Sequence, residues 1–180
     1  MQYYYTDTEL KQLLQSLVIL IDTREQENGH IISYFDKQKI IYTSRKLDFG
    51  DYSLMLPASP ALGIVRDTYF VNGIAIERKG SLEELSGNLT QDRARFESEL
   101  IRANKAKLLL LIEDASYADI VGHKYRTQYE PKAFLAALKT YEARYGLGIN
   151  FIPSVCTGNF IYHTFYYYLR EYLKRGGMVA

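Results

Sequence analysis

Tryptophan is missing from this chain, cysteine occurs once, proline four times, and neither sign of charge predominates. Each scarcity excludes something. The lone Cys156 cannot close an intrachain disulfide, which rules out a disulfide-stapled scaffold and fits a reducing, cytoplasmic setting. Lys plus Arg number 22 and Asp plus Glu 21. That balance is unlike a dedicated nucleic-acid binder, so any positive surface must be local. The longest wholly apolar runs, Leu17–Ile21 and Leu108–Ile112, are far too short to span a bilayer, and no membrane partner is expected. The opening MQYYYTDTEL has no charged segment leading into an apolar stretch, so no secretory signal is expected. A glycine-rich phosphate loop is absent as well, which argues against a nucleotide-binding enzyme.

What is present describes one α/β domain. The chain has 180 residues, 47% of them hydrophobic, enough for a single real core. Its 17 tyrosines favour amphipathic surfaces. Thr6 and Glu9 form a capping box ahead of Leu10, Leu13, Leu14 and Leu17 at helical spacing. VILI (18–21) reads as a buried strand, residues 28–38 as a short helix, and IIYTSR (40–45) and GDYSLML (50–56) as strands. Asn72-Gly73 between β-rich runs predicts a two-residue hairpin turn, with 68–71 and 74–79 as antiparallel neighbours. Ser81 caps a helix from near Leu82, and Thr90 caps a longer one over about 91–105. KLLLLIE (107–113) reads as a strand at the sheet centre. A helix from Pro131 to about Tyr145, a strand GINFI (148–152) and a helix over 158–174 complete a mixed sheet flanked by helices. Its early strands are expected to be antiparallel and its later ones parallel.

The stretch IAIERKGSLEEL (74–85) raises the functional question, because charges close an apolar strand. Glu77 and Lys79 alternate along the strand, so they project from one face with Cα atoms roughly 6–7 Å apart. Arg78 shares the face of Ile74 and Ile76 and is expected to reach solvent from the strand end. A carboxylate beside an ammonium can serve as a surface ion pair, or it can hold a divalent cation next to a positive charge. Further acids sit at element ends: Asp22 after the first strand, Glu25 three residues on, Asp51 after Gly50, and Glu83 in the first turn of the helix after ERK. Taken singly, Asp51 and Asp22 could be turn residues and Glu83 or Glu84 helix-dipole partners. Their joint occurrence favours a metal cluster.

IDTRE (21–25), GDY (50–52), ERK (77–79), the acid at 83 and LLIE (110–113), in this order, resemble the signature of the XPF/Hef-type structure-specific endonucleases. The resemblance covers about 18–115, and the helix–strand–helix pattern of 116–175 is similar to small stand-alone members. It implies a restriction-endonuclease-like fold of the PD-(D/E)XK type, spanning residues 1–180, and Mg²⁺- or Mn²⁺-dependent cleavage of branched DNA. By position, Asp51 and Glu77 resemble metal ligands, and Lys79 the residue that orients or activates the attacking water. Arg78 resembles a phosphate contact or brace, and Asp22 and Glu25 additional acids, with Arg24 nearby. Two departures stand out: the last acid is Glu83 rather than Asp, with Glu84 as the alternative, and neither a tandem helix-hairpin-helix nor a helicase lies within these 180 residues.

Arg24, Arg78, Arg93, Arg95, Lys124 and Arg126 are the candidate DNA contacts, although the HKYR loop (123–126) reads more readily as a solvated loop. Near-neutral charge predicts weak, salt-sensitive DNA binding. On the last helix, Ile161, Phe165, Tyr168 and Tyr172 form one stripe and Tyr162, Tyr166, Leu169 and Leu173 another. This is either a core helix or a homodimer surface over Phe160–Tyr172. The rival to an endonuclease is a non-catalytic DNA-binding or scaffold subunit with the same fold.

Overall fold

A computed structural model describes residues 4–103 and 105–176. Its elements run α1 (Asp7–Gln15), β1 (Val18–Ile21), α2 (Gly29–Gln38), β2 (Ile41–Ser44), β3 (Tyr52–Leu56), β4 (Thr68–Tyr69), β5 (Ile74–Lys79), α3 (Leu82–Leu89), α4 (Arg93–Arg102), β6 (Lys107–Glu113), α5 (Tyr117–Val121), α6 (Pro131–Tyr145), β7 (Gly148–Ile152) and α7 (Thr157–Lys174). The capping box at Thr6 forms as its sequence predicts, with the Glu9 carboxylate 2.8 Å from the Thr6 N–H.

Among the described residues, seven strands form one sheet, in the order β2-β1-β3-β5-β6-β7, with β4 beside β3. The expectation for the late strands holds, since β5, β6 and β7 are parallel. The early half differs. β1 pairs antiparallel with β3 but parallel with β2, because α2 carries the chain across between them. KLLLLIE is flanked on both sides, yet it stands one strand in from the edge rather than at the centre.

The predicted hairpin does not form. β4 pairs with β3 through Met55 and Tyr69, while β5 pairs with the same strand through Tyr52 and Ile76. The two segments therefore follow one another along one side of β3, separated by a tight turn in which Phe70 O accepts from the N–H groups of Gly73 and Ile74. Neither Asn72 nor Gly73 has the positive φ that the hairpin turn demands. Thr90 also differs from expectation: it terminates α3, its hydroxyl bonding Ser86 O, and α4 starts after Asp92. The short α5, capped by Ser116, is an element that the sequence reading left out.

Two apolar layers sandwich the sheet. On one face α1, α2 and α7 pack Leu13, Phe35, Ile161, Phe165 and Leu169 over Ile19, Leu54, Ile74, Ile76 and Leu111. On the other, α3, α4, α5 and α6 pack Leu85, Phe96, Ile120, Phe134 and Tyr141 over Ala75, Leu108, Leu110 and Ile112. The buried stripe of α7 is Ile161, Phe165, Leu169 and Leu173, which draws on both predicted stripes, and Tyr167 stays 55% exposed. Among the described residues, no helix is long and apolar enough to cross a membrane.

Candidate active site

Strand β5 is buried along its whole length, charged end included. Alternation sends its charges to opposite faces. Glu77 and Lys79 follow Ala75 toward α4, and Arg78 follows Ile74 and Ile76 toward α2 and α7.

On the α4 face the sheet register brings Asp51 alongside. The Tyr52–Ile76 pairing sets it next to Glu77, the Asp51 N–H bonds Ile76 O at 2.8 Å, and its Oδ2 accepts the Arg78 N–H at 2.8 Å. Lys79 Nζ lies 2.6 Å from Glu77 Oε1 and 3.6 Å from Glu84 Oε1. Gly50, just before Asp51, has φ +71°, and a Cβ there would come within 2.9 Å of Ala75 Cβ, so this turn requires glycine. Burial and then the neighbouring Glu25 charge push the Asp51 carboxyl up to about 7. Burial, followed by the Asp51 charge, pushes Glu77 well above the ordinary range. Burial alone would depress Lys79, but the Glu77 carboxylate outweighs it and holds the ammonium charged.

The expectation that Arg78 reaches solvent is corrected. Its guanidinium is buried, with Nη2 2.6 Å from Glu25 Oε1 and 3.0 Å from Glu27 O, and Nη1 2.9 Å from Glu113 Oε2. Glu113, the last residue of β6, also accepts from the Thr157 hydroxyl at 2.6 Å and lies 2.7 Å from His30 Nε2. The network joins β5, β6, α2, α7 and the segment after β1. Buried so and bonded to these acceptors, Arg78 braces the fold and offers no exposed phosphate contact.

The other acids are dispersed. Asp22 accepts the Arg24 backbone N–H at 2.9 Å and Nε at 2.7 Å, and the Leu47 N–H at 2.6 Å. Burial raises its pKa, but those bonds, Arg24 foremost, bring it below the usual value. Glu25 is engaged by Arg78. Glu83 accepts the Arg126 N–H at 2.9 Å instead of pairing with Lys79. Glu84 is the acid of α3 that approaches Lys79, because α3 starts at Leu82 and its third residue bends back to the Gly80 N–H at 2.8 Å. Arg24 pairs with Asp22, and Arg93 and Arg95 lie exposed on α4. Lys124 is exposed 3.7 Å from Asp119, and Arg126 is exposed beside it.

Two residues of these clusters were missed as site residues. Glu113 stood in LLIE as a strand end only, since nothing nearby in sequence announces its partners. Glu99 on α4 accepts the Gly50 N–H at 2.9 Å, and its charge acts on both Asp51 and Glu77. A polar residue on one helix turn carries no signal of a partner 49 residues earlier.

A mixed sheet with helices on both faces, and acid and lysine on alternate residues of a strand end, defines the restriction-endonuclease-like class. The ERCC4 domain matches residues 21–164, and the chain belongs to that family. No curated protein matches. Among solved structures, XPF from Aeropyrum pernix is similar over 82% of this chain and 59% of its own, with 18% identity and a TM-score of 0.57. The same protein in complex with DNA is similar over 86% of this chain and 65% of its own, with 15% identity and a TM-score of 0.58. The chain thus spans about three-fifths of the length of those structures, and the likeness is one of fold.

Proposed function

We propose that this domain is a metal-dependent endodeoxyribonuclease acting on branched DNA such as flaps and forks. The observation that carries the reading is the juxtaposition of half-buried Asp51 with buried Glu77, whose proton affinity the Asp51 charge raises, and with Lys79 beside them. Membership of the ERCC4 family and the fold shared with an XPF that was solved with DNA support it.

A divalent cation suits these residues. Among the described residues, no group of three or more His, Cys, Asp and Glu side chains is gathered for a metal. Mg²⁺, however, is commonly held by one or two carboxylates, with waters and substrate phosphate oxygens completing its octahedron. Asp51 and Glu77 would hold it, and a cation between them would relieve the repulsion that burial magnifies. When bound, such an ion polarises the scissile phosphate and acidifies a coordinated water. Asp51 is aimed by the Arg78 N–H and Glu77 by Lys79. Because Glu77 keeps Lys79 protonated, its ammonium acts as a donor that orients water or steadies phosphate charge, not as a proton acceptor. Asp22 and Glu25 serve this site by fixing Arg24, Leu47 and Arg78 around it. Arg93, Arg95, Lys124 and Arg126 supply exposed positive charge for the DNA backbone.

The scaffold alternative is favoured by one observation: Glu83 is turned to Arg126, so the position of the family's last acid leaves the cluster. Incubation with flap, fork and duplex DNA in Mg²⁺ or Mn²⁺ decides between them. Cleavage that is lost in Asp51→Ala and Lys79→Ala supports the nuclease. An intact wild type that binds branched DNA and cuts none supports the scaffold. Pairing with a second copy through α7 is supported by exposed Tyr167 beside a groove of about 870 Å³ lined by Tyr168 and Tyr172, and sedimentation tests it.

A further inference from the structure

Glu99 faces the Asp51–Glu77 pair from an element of its own. It lies on α4, and its Oε1 accepts the Gly50 N–H at 2.9 Å. That bond ties α4 to the glycine turn from which Asp51 projects. Gly50 has no side chain to steady itself and cannot acquire one, given its φ of +71° and the nearby Ala75 Cβ. The charge of Glu99 reaches three members of the site: it raises the proton affinity of Asp51 and of Glu77, and it holds the charge on Arg24. Lys79 pairs with Glu77 and Glu84, and Arg24 with Asp22, so no cation is bonded to Glu99 among the described residues.

We propose that Glu99 is a positioning residue for divalent-cation capture: its hydrogen bond fixes the turn that aims Asp51, and its charge adds a third negative group to the Asp51–Glu77 pair. The proposal rests on the nuclease reading above. Glu99 need not touch the ion. A neighbour that orients and electrostatically supports a ligand commonly changes metal affinity about 10–100-fold.

Two substitutions separate the roles. Glu99→Gln keeps an acceptor for Gly50 and removes the charge, whereas Glu99→Asp keeps the charge and shortens the reach. The test is Mn²⁺ binding to the full chain without DNA, followed by calorimetry and by the rise in melting temperature on adding Mn²⁺. Metal-free Glu99→Gln should melt with the wild type, and its Mn²⁺ Kd should rise about tenfold. Glu99→Asp should bind Mn²⁺ more tightly than Glu99→Gln. Equal Mn²⁺ Kd values for wild type and Glu99→Gln overturn the proposal while leaving the nuclease reading standing, provided that Asp51→Ala abolishes binding. A loss in Glu99→Asp as large as in Glu99→Gln overturns the role of charge. A wild type that takes up no Mn²⁺ overturns both readings together.

Discussion

The two faces of β5 solve opposite problems with the same kinds of residue. Toward α2 and α7, Arg78 sits between Glu25 and Glu113, and His30 and Thr157 complete the hydrogen bonding of Glu113. Toward α4, Glu77, Asp51 and Glu84 share the neighbourhood of Lys79, Glu99 adds its charge beside Asp51 and Glu77, and those two carboxyls are pushed toward protonation. One face is a satisfied network and the other keeps an excess of negative charge. Burying charge stabilises a fold only when partners and geometry compensate for lost water. The compensated face therefore reads as architecture, and the under-compensated face is the one to which the proposed cation is assigned.

Breaking the satisfied face should have the largest effect. Arg78→Ala strands Glu25 and Glu113 without their shared cation and should cost about 3–5 kcal/mol in urea unfolding. On the opposite face, Asp51→Asn should reverse the pattern, lowering cleavage by at least about 10²-fold as several kcal/mol of charge stabilisation are lost. Its metal-free melting temperature should not fall, since the substitution removes a repelling charge. Gly50→Ala should cost about 1–3 kcal/mol, from φ +71° and the contact with Ala75, and should lower activity at temperatures where the protein remains folded.

The pH dependence sharpens the contrast. Asp51 has a folded-state pKa of about 7 against an ordinary 3.8, so the native state holds that proton more tightly than the unfolded chain does. The resulting stability is fully present below about pH 4 and fades as pH rises through about 7. Metal-free melting temperature should therefore decline between those limits, and Asp51→Asn should flatten the decline. The smallest effect belongs to the surface: Arg126→Ala should weaken DNA binding uniformly across sequences and reduce the salt slope by about one.

Strand alternation and motif order made Asp51, Glu77 and Lys79 legible before any coordinates, because a local period of two fixes which side chains share a face. Arg78 was put on the correct face, but its depth was missed, since the helices covering the strand end lie far away in sequence. Glu99 and Glu113 were unreadable as site residues for the same reason. The Asn72-Gly73 signal was real as a turn and misleading as a hairpin, because pairing with β3 on both sides of it outweighed local preference. Glu83 and Glu84 were separated only by the helix start, which a one-residue uncertainty leaves open.

The interruption between β4 and β5 has a practical consequence. Met55 and Tyr52 are three apart on β3, while their partners Tyr69 and Ile76 are seven apart, so the surplus is discharged at the turn instead of shifting the strand. Asn72 is exposed there, five residues before Glu77, or roughly 16 Å along an extended chain. A fluorophore or tether attached at Asn72 would sit on a turn outside the Asp51–Glu77 pair, a convenient anchor for single-molecule work.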